Sequence, residues 1–323
     1  MNHRPRDHAL DLLKGIAILS VVLLHLPPSR FTPANCSYLP NAQAAVSWCV
    51  LAFFFVSGRL CPTADSFSRE FVVQLLDRAR RLLIPCVAFS LLYRFLLALL
   101  SAMGFISSYS FKFPHDITGW ALWVFTPAPP QLYFLPFLLI VQAVAMLTWA
   151  AGGRYSVLIG CFLAPLLFYL AGFFGVARLP LYGDRADLFP LYLAMFAHGF
   201  ASRAFPVLVR WQGVLAVCLL AGAAAVWRHC PQLLFIAAPC VIYLALGWIQ
   251  LGGNNLLAML GRHSAGIYVW HTPIILPATA LFWTHLFGGN PLTLVLTLVT
   301  TIALSLLAAK AAKQIPALWP FRI

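Results

Sequence analysis

Charge is what this sequence has least of. Asp and Glu together number 8 in 323 residues, and charged residues of both signs make up 9% against 62% apolar. A soluble domain carries about 25% charged residues, so there is too little polar surface to hold this chain in water. The mean hydropathy of +0.88 points the same way. The polar stretches between apolar runs are short loops, so no soluble appendage is expected. Residues 1–323 read as one all-α integral membrane domain, a polytopic helix bundle. Metal ligation is equally thin: neither HxxxH nor HExxH occurs, and the eight cysteines show no CxxC or zinc spacing. Cys49, Cys61, Cys86, Cys161, Cys218 and Cys240 fall in or beside apolar spans, where cysteine behaves as a small hydrophobe. Cys36 and Cys230 fall in loops expected on one outer face, and a disulfide between them would suit an oxidising compartment. The net charge of +13 does not indicate nucleic acid, because the basic residues lie between apolar spans and form no single patch.

What is present is a series of long apolar runs. A span needs about 20 apolar residues, and ten candidates meet that length or approach it: 10–27, 43–61, 82–104, 131–150, 155–176, 188–202, 211–227, 232–250, 264–285 and 291–309. Aromatics at 14% fit belts at the two interfaces. With both termini on one side, that side collects fifteen Lys and Arg and the other collects five. The positive-inside rule then places both termini in the cytoplasm and supports an even number of spans. Arg4 and Arg6 precede the first apolar run, and Ala42-Gln43-Ala44 resembles a weak signal-cleavage site. It lies far beyond the apolar core of that run, so the first helix is read as uncleaved.

The first run, DLLKGIAILSVVLLH from Asp11 to His25, carries a charged foot and an imidazole near its far end. A helix separates Lys14 and His25 by roughly 16 Å along its axis. An ionisable group that deep in a membrane is a functional-site hypothesis by default. His271, in SAGIYVWHTP, is the second histidine embedded in a strongly apolar run, and Tyr268 shares its helix face. Each histidine alone fits a buried hydrogen-bonding role as well as catalysis; two on separate helices point to a shared polar cavity. Such imidazoles suit removal of a hydroxyl proton. The spans hold no carboxylate beyond Asp11, so an acid to steer His25 must come from Asp116, Asp184 or Asp187, with Asp187 the choice. Arg94, in LLYRFLLALL, is the one basic residue near mid-membrane and reads either as an anion-binding group or as a structural arginine bonded to carbonyls. Ser57 and Gly58 end the second run; they allow close helix approach or bound a narrow passage. Arg78, Arg80 and Arg81 open the third span beyond an arginine-rich loop. They satisfy the charge rule or bind the phosphates of a cytosolic cosubstrate.

Five stretches together resemble the acyltransferase-3 family of integral membrane acyltransferases. DLLKGIAILSVVLLH is similar to that family's first helix, with an acid, a base, ten residues and a histidine. FFFVSGRL resembles its second-helix motif, RRLLIP its entry to the third helix, QLYFLPFLLIVQ its aromatic-Phe-Leu stretch and GRHSAGIYVWH its closing Ser-x-x-x-Tyr-x-x-His motif. Lys14 stands where many members have Arg; a subgroup that acetylates exopolysaccharide sugars resembles this sequence in using Lys. Arg59 departs from the apolar residue that usually follows Ser-Gly.

The resemblance implies ten core helices and transfer of an acyl group, acetyl by preference, from cytosolic acyl-CoA to a sugar hydroxyl. The acceptor would belong to a surface glycan or its lipid-linked precursor, and the enzyme to the bacterial inner membrane. His25 would be catalytic, with Tyr268 and His271 orienting the thioester or stabilising its oxyanion. Lys14, Asp11, Ser57, Arg78, Arg80, Arg81 and Arg94 would form the substrate-binding set. Acetyl-CoA would be the donor cosubstrate, with no metal, and membrane lipid the surroundings. An added esterase-like domain is absent from this sequence, so the acceptor is expected to be handled within the bundle. The competing readings are a transporter or flippase for a glycan or lipid-linked sugar, and a non-catalytic assembly partner.

Overall fold

The computed structural model describes residues 7–31, 36–61, 67–104, 115–120, 130–173, 189–204, 232–249 and 255–315. These residues form helices and no strand. The elements are α1 (His8–Leu24), α2 (Leu39–Val46), α3 (Cys49–Arg59), α4 (Arg69–Ala102), α5 (Phe134–Phe173), α6 (Phe189–Ala204), α7 (Gln232–Ile249), α8 (Leu256–Arg262), α9 (Ser264–Trp270), α10 (Leu276–Phe287) and α11 (Pro291–Gln314). Among the described residues, four stretches are long and apolar enough to cross a bilayer: Leu39–Arg59, Arg69–Ala102, Gln131–Gly153 and Pro291–Gln314. The chain is an all-α membrane helix bundle. The expected span 211–227 lies outside the described residues.

Several boundaries differ from those expected, each for a local reason. α1 stops at Leu24, short of residue 27, because Pro27 and Pro28 follow and neither has an N–H to continue the ladder. α4 starts 13 residues before residue 82, so Arg69, Arg78, Arg80 and Arg81 stand on helix turns and not on a loop. Ser68 caps it by accepting from the Phe71 N–H, and Glu70–Gln74 and Asp77–Arg81 pair at i,i+4 along the extension. α5 runs through two expected spans but is broken at Gly153, whose φ of 71° lies in the left-handed region open to glycine. The expected span 264–285 is divided into α9, a π-turn (His271–Ile275) and α10, because Thr272 precedes Pro273 and is extended, at φ −125° and ψ 160°. The seven-residue α8 falls where a loop is expected; Asn255 caps it by accepting from the Ala258 N–H at 2.8 Å.

The chain divides into two compact units, Met1–Leu60 with Ala194–Leu307, and Cys61–Leu193 with Ala308–Ile323. In the first, α1 is central, packed against α8, α3, α7, α2 and α9. Glycines set its tightest crossing. A Cβ on Gly15 would strike the Leu257 carbonyl, and one on Gly261 the Asp11 carbonyl, so α1 and α8 touch backbone to backbone. The same reciprocal arrangement joins α3 to α6, through Gly58 against Phe196 and Gly199 against Phe55. α11 turns Thr293, Thr297, Thr301 and Ser305, spaced by four, wholly inward at 0% exposure. Thr301 meets the Thr279 hydroxyl of α10 at 2.7 Å. In the second unit α4 packs along α5, and the Tyr133 and Tyr192 hydroxyls are hydrogen-bonded at 3.0 Å.

Candidate active site

Two backbone interruptions meet in the first unit. One is the proline-terminated end of α1, where His25 is the C-cap. The other is the π-turn that opens at His271. The His25 and His271 rings stand edge to face, with centroids 5.2 Å apart and planes at 68°. Tyr268 is buried one turn before His271, its ring 5.9 Å from the imidazole. Each ring is anchored to a backbone carbonyl one turn back. His25 Nδ1 donates to the Val21 carbonyl at 2.8 Å, and His271 Nδ1 donates to the Tyr268 carbonyl at 2.6 Å. A carbonyl only accepts, so in each neutral ring the proton sits on Nδ1 and the lone pair on Nε2. His271 is fully buried, and its Nε2 has no hydrogen-bond partner. A buried polar atom left unpaired costs about 1–3 kcal/mol; in a native fold it calls for an explanation such as catalysis or a ligand. His25 is half-buried, so one part of the pair remains open.

The model of a family described as an acyltransferase domain matches residues 7–310. The chain belongs to the acyltransferase-3 family. It is an acyltransferase and an integral membrane protein. No curated protein and no solved structure matches it.

The other expected site residues of the acyltransferase fall into separate places. Lys14 and Asp11 form an ion pair at 2.7 Å, with the carboxylate 5% exposed. A carboxylate in that position holds Lys14, about 16 Å along α1 from His25. Ser57 is half-buried on α3, and Gly58 beside it lies against the α6 backbone, which is the close-approach role. Arg78, Arg80, Arg81 and Arg94 belong to the second unit. Arg80 and Arg81 are exposed, and Arg81 pairs with Asp77 at 2.9 Å; Arg78 and Arg94 are half-buried. Of the acids weighed for His25, Asp116 is exposed in the second unit and accepts from the Gly119 N–H. Asp184 and Asp187 lie outside the described residues. Cys36 is a free buried thiol, and Cys230 lies outside the described residues.

Two sets of residues do not stand out in the sequence. Arg59, the departure from the family pattern, donates from Nε and Nη2 to Asp7 Oδ2 at 3.3 and 3.2 Å, and from Nη1 to Ser202 at 3.0 Å. Tyr243 donates its hydroxyl to the same Asp7 oxygen at 2.9 Å, and its ring lies 5.0 Å under the Arg59 guanidinium. Asp7 also caps α1 by accepting from the Leu10 N–H. Four helices are therefore tied at one point. The second is Gln43 of α2, whose amide reaches the carbonyls of Leu23, Leu24 and Leu26 around His25. In the sequence Gln43 shows only as part of Ala42-Gln43-Ala44, near the start of an apolar run.

Proposed function

We propose that the protein is an O-acyltransferase of the bacterial inner membrane. It moves an acyl group, acetyl by preference, from cytosolic acyl-CoA to a sugar hydroxyl of a surface polysaccharide or its lipid-linked precursor. The observation that carries this reading is the paired imidazoles with their lone pairs on Nε2, one of them buried and unpartnered. General-base removal of a hydroxyl proton needs such an acceptor within hydrogen-bond reach of the substrate.

The chemistry runs as a thioester-to-ester exchange. His25 Nε2 takes the proton of the acceptor hydroxyl as its oxygen attacks the thioester carbonyl carbon. The tetrahedral adduct collapses with cleavage of the C–S bond, and the imidazolium returns the proton to the departing CoA thiolate. In the other route the His25 lone pair attacks the thioester carbonyl and expels the CoA thiolate; the acceptor hydroxyl then attacks the acyl-imidazole, the C–N bond breaks to restore His25, and the hydroxyl proton passes to the thiolate. His271, with its proton on Nδ1, has only a lone pair at Nε2 and does not donate to the oxyanion; it is assigned to orienting the His25 ring, against which it packs edge to face. Donation to the developing oxyanion passes to the Tyr268 phenol. The phosphates of the donor are assigned to Arg78, Arg80 or Arg81, or to Lys14, on the side that the fifteen-to-five charge bias marks as cytoplasmic. Ser57 lines the donor's path, Asp11 holds Lys14, and Arg94 takes an anionic substrate group.

Helix breaks beside buried polar groups also occur in transporters, but family membership decides for the transferase. Incubation of the purified protein with labelled acetyl-CoA and a glycan acceptor tests the reading. Labelled ester is expected with wild type and not with His25→Ala. Transfer that survives His25→Ala overturns the site assignment, and failure to bind acetyl-CoA overturns the donor.

A further inference from the structure

We propose that Gln43 is a positioning residue: its amide clamps the end of α1 and thereby fixes the His25 imidazole. The inference rests on the reading of His25 as the base.

The need for a clamp is written into the chain. An α-helix ends with four carbonyls that have no intrahelical donor, and a glycine-based turn usually supplies backbone N–H groups to them. α1 is followed by Leu26-Pro27-Pro28. His25 N–H bonds the Val21 carbonyl and Leu26 N–H the Leu23 carbonyl, both at 3.2 Å. After Leu26 the backbone has no donor for two residues, since proline lacks an N–H. A donor from elsewhere in the chain must make up the deficit.

Gln43 does. Its Nε2 stands 3.2 Å from the Leu23 carbonyl, 3.2 Å from that of Leu24 and 2.8 Å from that of Leu26. An amide carries two hydrogens, so the three carbonyls share them, with Leu26 the closest. The residues held lie on both sides of His25. That fixes the backbone from which the imidazole projects, and it keeps the Val21 carbonyl where His25 Nδ1 meets it. The tautomer, and so the lone pair on Nε2, follows from that contact.

The test compares wild type with Gln43→Met, which has similar length and no donor. Steady-state kinetics are paired with ¹⁵N NMR of the histidine side chains in lipid nanodiscs. With Gln43→Met, kcat is expected to fall about 10- to 100-fold, the scale of a small misplacement of a reacting group, while KM stays near wild type. The His25 resonances are expected to move from a single Nδ1–H tautomer to a mixture, with those of His271 unchanged. Wild-type kcat overturns the proposal, as does a fall in kcat with the His25 signature intact. If Gln43→Met does not fold, Gln43→Asn, which keeps the amide one methylene short, is measured the same way, and an unchanged His25 tautomer overturns the proposal. Activity that survives His25→Ala removes the catalytic reading of His25 alone, because the ¹⁵N signature still reports whether Gln43 holds the ring.

Discussion

The two ends of α1 handle buried polarity in opposite ways. At the Asp7 end the carboxylate receives an arginine, a tyrosine hydroxyl and a backbone N–H, and Asp11 receives Lys14. Opposite charges meet there, and the groups named are mutually satisfied. At the His25 end two rings of the same kind face each other, each with Nδ1 on a carbonyl, and the His271 lone pair has no partner. The first arrangement ties helices together. The second leaves a base unquenched inside the protein. Satisfaction of hydrogen bonds, more than burial or charge, is what distinguishes these two ends of α1.

That contrast can be broken at several points. His25→Ala is expected to lower acyl transfer by about 10² to 10⁴-fold, the range of general-base catalysis, with little change in melting temperature; a labelled-ester assay beside thermal unfolding in detergent checks both. His271→Leu sharpens the contrast further. It removes the unpartnered nitrogen together with the Nδ1 donor to the buried Tyr268 carbonyl, so transfer is expected to be lost at a stability cost of about 1–3 kcal/mol, read by the same assay and unfolding. Arg59→Met should separate the two. It takes two donors from Asp7 and one from Ser202, and it is expected to cost about 1–3 kcal/mol, discounted because both ionic side chains are partly exposed, 23% and 32%. Transfer per folded molecule should remain near wild type in the same assay. The smallest effect expected is from Thr279→Val, which loses the hydroxyl pair with Thr301 and should lower stability by about 1 kcal/mol; denaturant titration reads it.

Hydropathy alone located several of these elements. α11 and α7 begin where their apolar runs begin, and the break in α5 falls at Gly153, between the runs ending at 150 and starting at 155. Length and composition carry that information because lipid imposes them on any spanning helix. The histidine pair was legible as two imidazoles in apolar runs, though their 5.2 Å contact is a tertiary fact. What escaped depends on partners distant in the chain. Asp7 lies in a polar tail until Arg59 and Tyr243 meet it. α8 is too short to show a period, and it is defined by the glycines that press it on α1. Pro273 was visible inside a span, where a proline is compatible with an intact helix; it is the extended Thr272 before it that divides the helix.

The hydroxyl stripe on α11 has a consequence for assembly in the bilayer. Thr293, Thr297, Thr301 and Ser305 face inward, while Leu292, Val295, Val299, Leu304 and Leu307 are exposed. Turning the helix about its own axis by a single residue, 100°, would bring hydroxyls toward lipid and leucines toward the Thr279 hydroxyl. Thr297 and Thr300 return their hydroxyls to carbonyls four residues back, which lets them cross hydrocarbon satisfied. α11 therefore acts as a keyed shaft: it can insert as an ordinary apolar span, and it locks into one azimuth when Thr301 finds Thr279.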